Sequence, residues 1–281
     1  MMTANLFMPF SLNLRGRLVE FDRPQVMGII NVTPDSFYSK SRLPQKDALS
    51  QRLKLMLSQG VDMIDVGAYS TRPGASDVSV DEELGRLAPA LEVIRDIAPD
   101  VIVSVDTFRA EVAREAVQKF KVDIVNDISG GQLDDNMFET VAELRVPYVL
   151  THSRLAMDQV DYVDVTADVI TELSEKVAKL SLLGVSDVII DPGFGFSKTL
   201  EQNYDLLQNL HALNCFNKPI LVGVSRKSII TRVLDIEPEN ALNGTTVINT
   251  ISLLTGASIL RVHDVLEAVQ AVKLVRCYNK K

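Results

Sequence analysis

Short apolar runs alternate with longer amphipathic stretches along almost the whole chain. Each run is rich in Val and Ile and almost continuously hydrophobic, as in strands that are buried on both faces of a parallel sheet. The predicted strands are 26–32, 61–67, 101–106, 122–127, 146–152, 187–193, 219–225 and 258–264. The stretches with helical period are 46–60, 79–98, 108–120, 135–145, 163–184, 200–213, 238–256 and 264–277.

Eight strands with eight following helices indicate an α/β fold of the (β/α)8 type, the TIM barrel, which needs about 250 residues. We therefore predict a single domain over residues 1–281, with the barrel at 24–277. The alternative is a doubly wound open sheet, but eight regular units favour closure. Residues 10–22 alternate apolar and polar side chains around Arg15-Gly16 and predict an N-terminal hairpin, which we expect to plug the N-terminal face of the barrel.

Composition excludes several classes of protein. The 281 residues carry 29 Lys+Arg and 37 Asp+Glu, a net charge of −8, whereas nucleic-acid binders are normally basic. No run approaches the roughly 18 apolar residues that span a bilayer, so no membrane association is expected. The N-terminus lacks signal-peptide features, and two cysteines without CxxC spacing fit a reducing compartment. These features predict a cytoplasmic location.

Polar side chains stand at or near the end of every predicted strand, and in TIM barrels these C-terminal ends carry the active site. Any one of them could be a local cap or turn residue. Their coincidence on all eight strands predicts one polar cleft. The residues are Asn31, Asp65, Asp106, Asn126, Asp127, His152, Asp191, Arg226, Lys227, Arg261 and His263.

These residue types indicate a ligand with two different parts. The carboxylates of Asp106 and Asp191 and the amide of Asn126 suit the edge of a planar, guanine-like heterocycle. A set of cations suits a phosphate group. This set comprises Arg72, Arg226, Lys227, Arg261 and His263. Because the chain has only three histidines, a divalent ion would be held by oxygen atoms.

Two other motifs have less specific interpretations. The run Gly193–Thr199 invites a phosphate-loop reading but lacks the GxxxxGK[ST] spacing, so a strand-to-helix turn with a Thr199–Gln202 capping box is favoured. His152-Ser153-Arg154 could suggest a nucleophilic serine, but no base follows in a suitable pattern, and a turn is favoured there as well.

Seven segments in order along the chain form a recognisable set. The segments are MGIINVTPDSF (27–37), STRPGA (70–75), VDT (105–107), NDISGG (126–131), DPGFGF (191–196), VGVSRKS (222–228) and RVHDV (261–265). Together they resemble dihydropteroate synthase. The resemblance covers about residues 10–275 and implies a transferase of folate biosynthesis. The enzyme would join 6-hydroxymethyl-7,8-dihydropterin diphosphate to 4-aminobenzoate, giving 7,8-dihydropteroate and pyrophosphate, with pyrophosphate leaving before the arylamine attacks.

The resemblance also implies a role for individual residues, a Mg²⁺ cofactor and a homodimer. Asp106, Asn126, Asp191 and Lys227 would hold the pterin ring. Arg261 would lie against the ring and, with Asn31 and His263, bind the diphosphate, Asn31 also contacting Mg²⁺. The remaining candidates, which would border the aminobenzoate and diphosphate end or close the site, are Thr71, Arg72, Pro73, Ser228 and Asp35. The candidate catalytic residues are Asp35, Asp106, Lys227, Arg261 and His263.

The chain departs from the family pattern at four places. Ala68-Tyr69 replace Gly-Glu, Thr151-His152-Ser153 replace a Met-His-Met run, YSKSRLP follows Phe37, and Ser197 replaces a glycine. These departures affect loop shape and affinity rather than the assigned residues. The alternatives are a methyltetrahydrofolate-binding barrel of corrinoid methyl transfer systems and a non-catalytic pterin-binding module, neither of which needs the diphosphate residues.

Overall fold

A computed structural model describes residues 7–33, 42–69, 78–154 and 161–279, with side chains from Lys46 onward in the first helix. The strands are β1 Phe10–Leu14, β2 Arg17–Phe21, β3 Gln25–Asn31, β4 Met63–Gly67, β5 Ile102–Asp106, β6 Ile124–Asp127, β7 Tyr148–Thr151, β8 Val188–Asp191, β9 Leu221–Val222 and β10 Ile259–Val262. The α-helices are α1 Arg42–Gln59, α2 Val80–Ile97, α3 Ala110–Phe120, α4 Met137–Leu144, α5 Val165–Leu182, α6 Leu200–Gln208, α7 Ser228–Leu234, α8 Leu242–Leu254 and α9 Val265–Asn279. Short 3₁₀ helices cover Leu210–Phe216 and Pro238–Asn240.

Strands β3 to β10 form one parallel sheet, in the order β8-β7-β6-β5-β4-β3-β10-β9. A parallel bridge between Ile190 and Ile220 joins the two end strands, and the Ile190 amide donates to the Pro219 carbonyl at 2.9 Å. These bonds close the sheet into a barrel with helices outside, so the predicted (β/α)8 fold is confirmed. The continuous apolar runs follow from burial on both faces, toward the barrel interior and toward the helices.

The predicted N-terminal hairpin is confirmed as the antiparallel pair β1–β2. Its Leu12, Leu14 and Phe21 pack against the first interior layer of the barrel, formed by side chains near the strand N-termini. That layer consists of Met27, Met63, Ile124, Val149, Ile189, Leu221 and Ile259. The hairpin therefore closes the N-terminal end of the barrel, as expected.

Two further bonds hold the hairpin in place. The Arg15 guanidinium, at the hairpin turn, pairs with the fully buried carboxylate of Asp123 at 2.5 Å, and Arg95 of α2 pairs with the other Asp123 oxygen at 2.8 Å. The Asn13 backbone N–H donates to the Asp187 carboxylate at 3.1 Å. A buried carboxylate needs such partners, because an unpaired charge away from water is costly.

Three predicted boundaries are wrong in the last third of the chain. Strand 219–225 shortens to two residues, because Pro219 lacks a donor and Arg226 turns the chain at a φ of +58°. The helix α7 was not predicted, since seven residues carry too little periodicity. The predicted helix 200–213 ends at Gln208, as α6, and the 3₁₀ helix Leu210–Phe216 follows it. The predicted helix 238–256 divides into the 3₁₀ helix Pro238–Asn240 and α8.

The helix starts follow their sequence signals more closely. The Thr199 hydroxyl and the Gln202 side chain form the predicted reciprocal capping box at the start of α6. The Ser79 hydroxyl accepts from the Glu82 amide at the start of α2. No helix in the described part of the chain is long and apolar enough to cross a membrane.

Packing of the β1–β2 hairpin against the barrel predicts that two of its leucines contribute very differently to the free energy of unfolding. Leu12 is 1% exposed and Leu18 is 70% exposed. Leu12→Ala is expected to lower the free energy of unfolding by about 2–5 kcal/mol, because it leaves a cavity beneath the barrel. Leu18→Ala is the matched control and should change it by less than about 0.5 kcal/mol. Urea unfolding measures the free energy of unfolding of both variants, and equal losses would contradict tight packing of the hairpin against the barrel.

Candidate active site

Four neighbouring strands place a residue at or next to their C-terminal ends at one level of the barrel. The register pairs Asn31 with Gly67, Gly67 with Asp106 and Asp106 with Asn126. Gly67 supplies no side chain at this level. A Cβ there would lie 3.3 Å from the Asp106 Cβ and 3.6 Å from the Asn31 side-chain oxygen. The glycine therefore leaves room between an amide and a carboxylate that both reach the C-terminal mouth.

A buried charge cluster forms the floor of this mouth. Arg261 extends from β10 and donates from Nε to Asp65 at 2.6 Å and from Nη2 to Asp106 at 2.5 Å. The Asn126 amide also donates to the same Asp65 oxygen, at 3.1 Å. Side chains from four strands, β4, β5, β6 and β10, are thus joined by one guanidinium, two carboxylates and one amide.

Asp65 belongs to this site, although the sequence placed it only among the polar residues of the predicted cleft, with no ligand role. It is fully buried in the middle of β4, and its Oδ1 has no hydrogen-bond partner among the described residues. A signal was present in the sequence, since a carboxylate inside the apolar run 61–67 must have a buried cationic or donor partner. The sequence alone does not say that the partner is Arg261, 196 residues away.

Burial shifts the protonation equilibria of this cluster. It raises the pKa of Asp106 to about 7, against the opposing effect of Arg261 and with a further contribution from Asp65. Burial lowers the pKa of Arg261, but Asp65 and Asp106 more than compensate, so its pKa lies above the ordinary value. Arg261 is therefore permanently charged, whereas Asp106 exchanges its proton near neutral pH.

Asp191 and Lys227 form a second pair of charged residues at the mouth. Asp191 ends β8, and Lys227 lies in the turn after β9. Burial raises the pKa of Asp191, with Lys227 opposing, and lowers the pKa of Lys227 to about 8, with Asp191 opposing. The Lys227 ammonium donates to the Phe194 carbonyl at 2.8 Å and lies 4.5 Å from the centre of the Phe196 ring. The Gly193 amide donates to Asp191 at 2.8 Å. The turn after β8 thus holds both charged groups.

A buried hydrogen-bond network, not predicted from the sequence, supports this turn. Lys198 Nζ donates to the Gly193 carbonyl at 3.0 Å and the Phe196 carbonyl at 3.2 Å, and it lies 3.0 Å from His152 Nδ1. His152 Nε2 lies 3.0 Å from Glu172, which also pairs with Arg154. Burial lowers the pKa of His152 to about 3, so the neutral ring accepts from Lys198 and donates to Glu172. His152 is therefore part of a network rather than a simple turn.

The remaining predicted residues have different positions. His263 directly follows β10, and its Nδ1 lies 3.1 Å from the Ser225 hydroxyl. Ser228 is exposed at the first position of α7. Asp35, Thr71, Arg72 and Pro73 lie outside the described residues. The structure thus brings together Asn31, Asp106, Asn126, Asp191, Lys227, Arg261 and His263 at the C-terminal mouth.

Comparison with known proteins identifies the family of the chain. The family model for pterin binding enzyme matches residues 27–263. The chain belongs to the family of pterin-binding enzymes. This confirms the resemblance found in the sequence.

Individual relatives extend the match over most of the chain. The dihydropteroate synthase of Escherichia coli is 39% identical over 267 residues, covering 93% of this chain and 94% of its own length. A folate synthesis bifunctional protein of Arabidopsis thaliana is 40% identical, and the match spans 89% of this chain but only 55% of that protein. The structure of Xanthomonas albilineans dihydropteroate synthase with 4-aminobenzoic acid has a TM-score of 0.89 and 36% identity, covering 98% of this chain and all of that one.

Two of the departures from the family pattern have local compensation. Ser197 adopts a φ of +49°, a conformation that favours glycine, but its hydroxyl donates to the Arg154 carbonyl at 3.0 Å. Tyr69 packs edge-on against Phe108 at 5.0 Å, and the Arg109 guanidinium lies over its ring at 5.2 Å. Tyr69, which stands where the family has an acidic residue, thus contacts a cation through its aromatic ring.

The cluster predicts that Asp65 is needed for stability. Asp65→Asn is expected to lower the free energy of unfolding by about 3 kcal/mol, because it removes one carboxylate from a buried guanidinium. Asp96→Asn, an exposed position on α2, is the matched control and should change it by less than about 0.5 kcal/mol. The comparison uses urea unfolding curves at neutral pH. Equal midpoints for the two variants would mean that Asp106 alone suffices for Arg261.

Proposed function

We propose that the chain is a dihydropteroate synthase, which joins 6-hydroxymethyl-7,8-dihydropterin diphosphate to 4-aminobenzoate and releases pyrophosphate. The observation that carries the proposal is the arrangement at the C-terminal mouth. Hydrogen-bond acceptors of Asp106, Asn126 and Asp191 share one cleft with the cations of Lys227 and Arg261. A ligand that combines N–H donors with a strongly negative group matches both halves of the cleft.

The unpaired acceptors fit the pyrimidine edge of a pterin. Among the described residues, Asp106 Oδ1, Asn126 Oδ1 and Asp191 Oδ2 have no hydrogen-bond partner, and none of these atoms is fully buried. The amino group and ring N–H groups of a dihydropterin are donors, and its exocyclic carbonyl oxygen and a ring nitrogen are acceptors. In our proposal the three acceptors bind the donors, and Lys227 donates to the carbonyl oxygen and the ring nitrogen.

The diphosphate would lie nearer the opening. We assign its binding to Arg261, His263 and Asn31, together with Thr71 and Arg72, which follow β4 in the sequence. Arg261 is fixed by Asp65 and Asp106, which leaves one face of its planar guanidinium for the pterin ring. The aminobenzoate would bind beside Pro73 and Ser228, with Asp35 closing the site.

Asn31 is suited to contact a magnesium ion. Its side-chain oxygen lies at the level of Asp106 and forms no hydrogen bond to any described residue. Mg²⁺ in phosphate-handling sites takes one or two protein oxygens and completes its shell with water and substrate phosphates. No group of three or more His, Cys, Asp or Glu in the described part of the chain could hold a metal ion. When bound, Mg²⁺ would supply positive charge at the leaving diphosphate.

The proposed reaction begins with loss of the diphosphate. The bond between the pterin methylene carbon and the diphosphate oxygen breaks, both electrons leave with oxygen, and the pterin is left as a resonance-stabilised cation. Arg261 and His263 donate hydrogen bonds to the departing oxygens, and the Asp106 carboxylate stabilises the cation. The aminobenzoate nitrogen then attacks the methylene carbon and loses a proton to solvent. No side chain forms a covalent bond with the substrate.

We further propose that the protein is a cytoplasmic homodimer. Helices α7 to α9 expose large apolar side chains, among them Val233, Val247, Leu266 and Leu274, the last being 72% exposed. Such a surface is typical of a subunit contact. Two exposed free cysteines, Cys215 and Cys277, fit a reducing compartment. Sedimentation velocity measures the assembly, and a mass near 31.0 kDa would exclude the dimer.

The activity can be tested directly with both substrates. The purified chain with pterin diphosphate, 4-aminobenzoate and Mg²⁺ is expected to form dihydropteroate and pyrophosphate in equal amounts. Asn126→Ala should weaken pterin binding roughly tenfold or more, because ring groups are left unpaired. Calorimetry with the non-phosphorylated pterin measures this. If the protein binds the pterin but forms no dihydropteroate at any Mg²⁺ concentration tested, the methyltetrahydrofolate-type barrel or the non-catalytic module is favoured instead.

The proposal predicts a pH dependence of pterin affinity. The raised pKa of Asp106, about 7, means that the free carboxyl is protonated below this pH and charged above it. Because a ring N–H group binds the carboxylate, the affinity for a non-phosphorylated pterin should fall as the pH is lowered from about 8 to about 6, by up to about tenfold per unit below the pKa. Asp106→Asn should bind weakly at both values with a smaller slope. A flat wild-type profile would contradict the role of Asp106.

A further inference from the structure

Ser225 and His263 connect two turns at the mouth of the barrel. Ser225 lies in the turn after β9 and is 5% exposed. Its hydroxyl oxygen is 3.2 Å from the His263 backbone nitrogen and 3.1 Å from His263 Nδ1. One buried hydroxyl therefore contacts the same residue through both its backbone and its ring.

The direction of these two hydrogen bonds follows from their chemistry. The His263 backbone N–H can only donate, so the Ser225 oxygen accepts in that bond. The hydroxyl hydrogen then needs an acceptor, and among the described residues His263 Nδ1 is the one within reach. Nδ1 therefore accepts and carries no proton in the neutral ring. The ring proton of neutral His263 is on Nε2.

The ring is neutral near physiological pH, so the position of its proton decides what it can bind. Burial lowers the pKa of His263 to about 4, the cations of Arg261, Arg226 and Arg52 act in the same direction, and Asp264 opposes them. With the proton on Nε2, the ring offers a donor to an anionic oxygen. With the proton on Nδ1, it would present a lone pair instead and repel that oxygen.

The surroundings hold the backbone around His263, so that the Ser225 hydroxyl is the group that contacts the ring. Arg226 forms a two-pronged pair with Asp264, at 2.7 and 3.0 Å, which joins the turn after β9 to the residue after His263. Arg52 of α1 donates to the His263 carbonyl at 2.5 Å. Nε2 forms no hydrogen bond to any described residue and is not a fully buried atom. It is therefore open to a ligand.

We infer that Ser225 is a positioning residue, which sets the tautomer of His263 so that its Nε2–H donates to the diphosphate of the substrate. The inference rests on the proposed function for the identity of the ligand, but not for the state of the ring. Ser225 itself touches no substrate in this arrangement. Its hydroxyl acts through Nδ1 on the opposite side of the imidazole.

The tautomer can be read without any substrate. With ¹⁵N-labelled histidine, long-range ¹H–¹⁵N spectra distinguish rings protonated on Nδ1 from rings protonated on Nε2. The chain has only three histidines, and the variant His211→Gln removes the signal of one of them for assignment. Wild-type protein near pH 7 should show His263 as the Nε2–H form. Ser225→Ala should shift His263 toward the Nδ1–H form, and Ser225→Thr should restore the wild-type spectrum.

Binding measurements then separate the inference from the proposed function. Ser225→Ala should weaken pterin diphosphate binding about tenfold and leave the non-phosphorylated pterin nearly unaffected. Ser181→Ala, at an exposed serine on α5, controls for a general effect. An Nδ1–H ring in the wild type, or an unchanged spectrum in Ser225→Ala, would overturn the inference. A shifted tautomer without loss of diphosphate affinity would keep the spectroscopic part and refute the diphosphate role of His263.

Discussion

The guanidinium of Arg261 crosses the inside of the barrel from β10 to carboxylates on β4 and β5, and the polar mouth is organised around it. An isolated charge at this depth would be very unfavourable, whereas two carboxylates at 2.5 and 2.6 Å satisfy it. Asp65 in turn holds the amide of Asn126. Since His263 follows Arg261 by two residues on the same strand end, its place also depends on where this strand is held.

The same pairing explains which polar atoms remain for a ligand. Arg261 occupies one oxygen of each carboxylate it contacts, and the second oxygen of Asp106 stays accessible. On the other side, the turn after β8 gives Lys227 a carbonyl partner and Asp191 an amide donor. Asp106, Asp191 and Lys227 are thus each anchored by one bond and have capacity for another. Such preorganised groups can bind a ligand without first rearranging.

The fold and most of the site were predictable because they depend on short-range pattern. Buried strands have apolar runs, and Asp106, Asn126 and Asp191 were found because polar residues end those runs. The seven family segments then supplied roles that no pattern could. Asp65, Lys198 and Ser225 were given no role, because their importance lies in contacts with residues distant in the chain. The helix α7 was missed because it is too short to show a period.

The barrel is least continuous where β9 meets its neighbours. This strand has two residues, and a single bridge joins its beginning to β8, whereas β3 and β4 pair over five positions. Ser225, Arg226 and Lys227 follow this short strand, and each is held by a side-chain bond to a turn on a neighbouring strand: to His263, to Asp264 and to the Phe194 carbonyl. Around β9, side-chain hydrogen bonds hold neighbouring strands together, whereas backbone hydrogen bonds do so in the rest of the barrel. A ligand that binds both Asp191 and Lys227 would add another contact between the turns after β8 and β9. Part of its binding free energy would then stabilise closure of the barrel at this position.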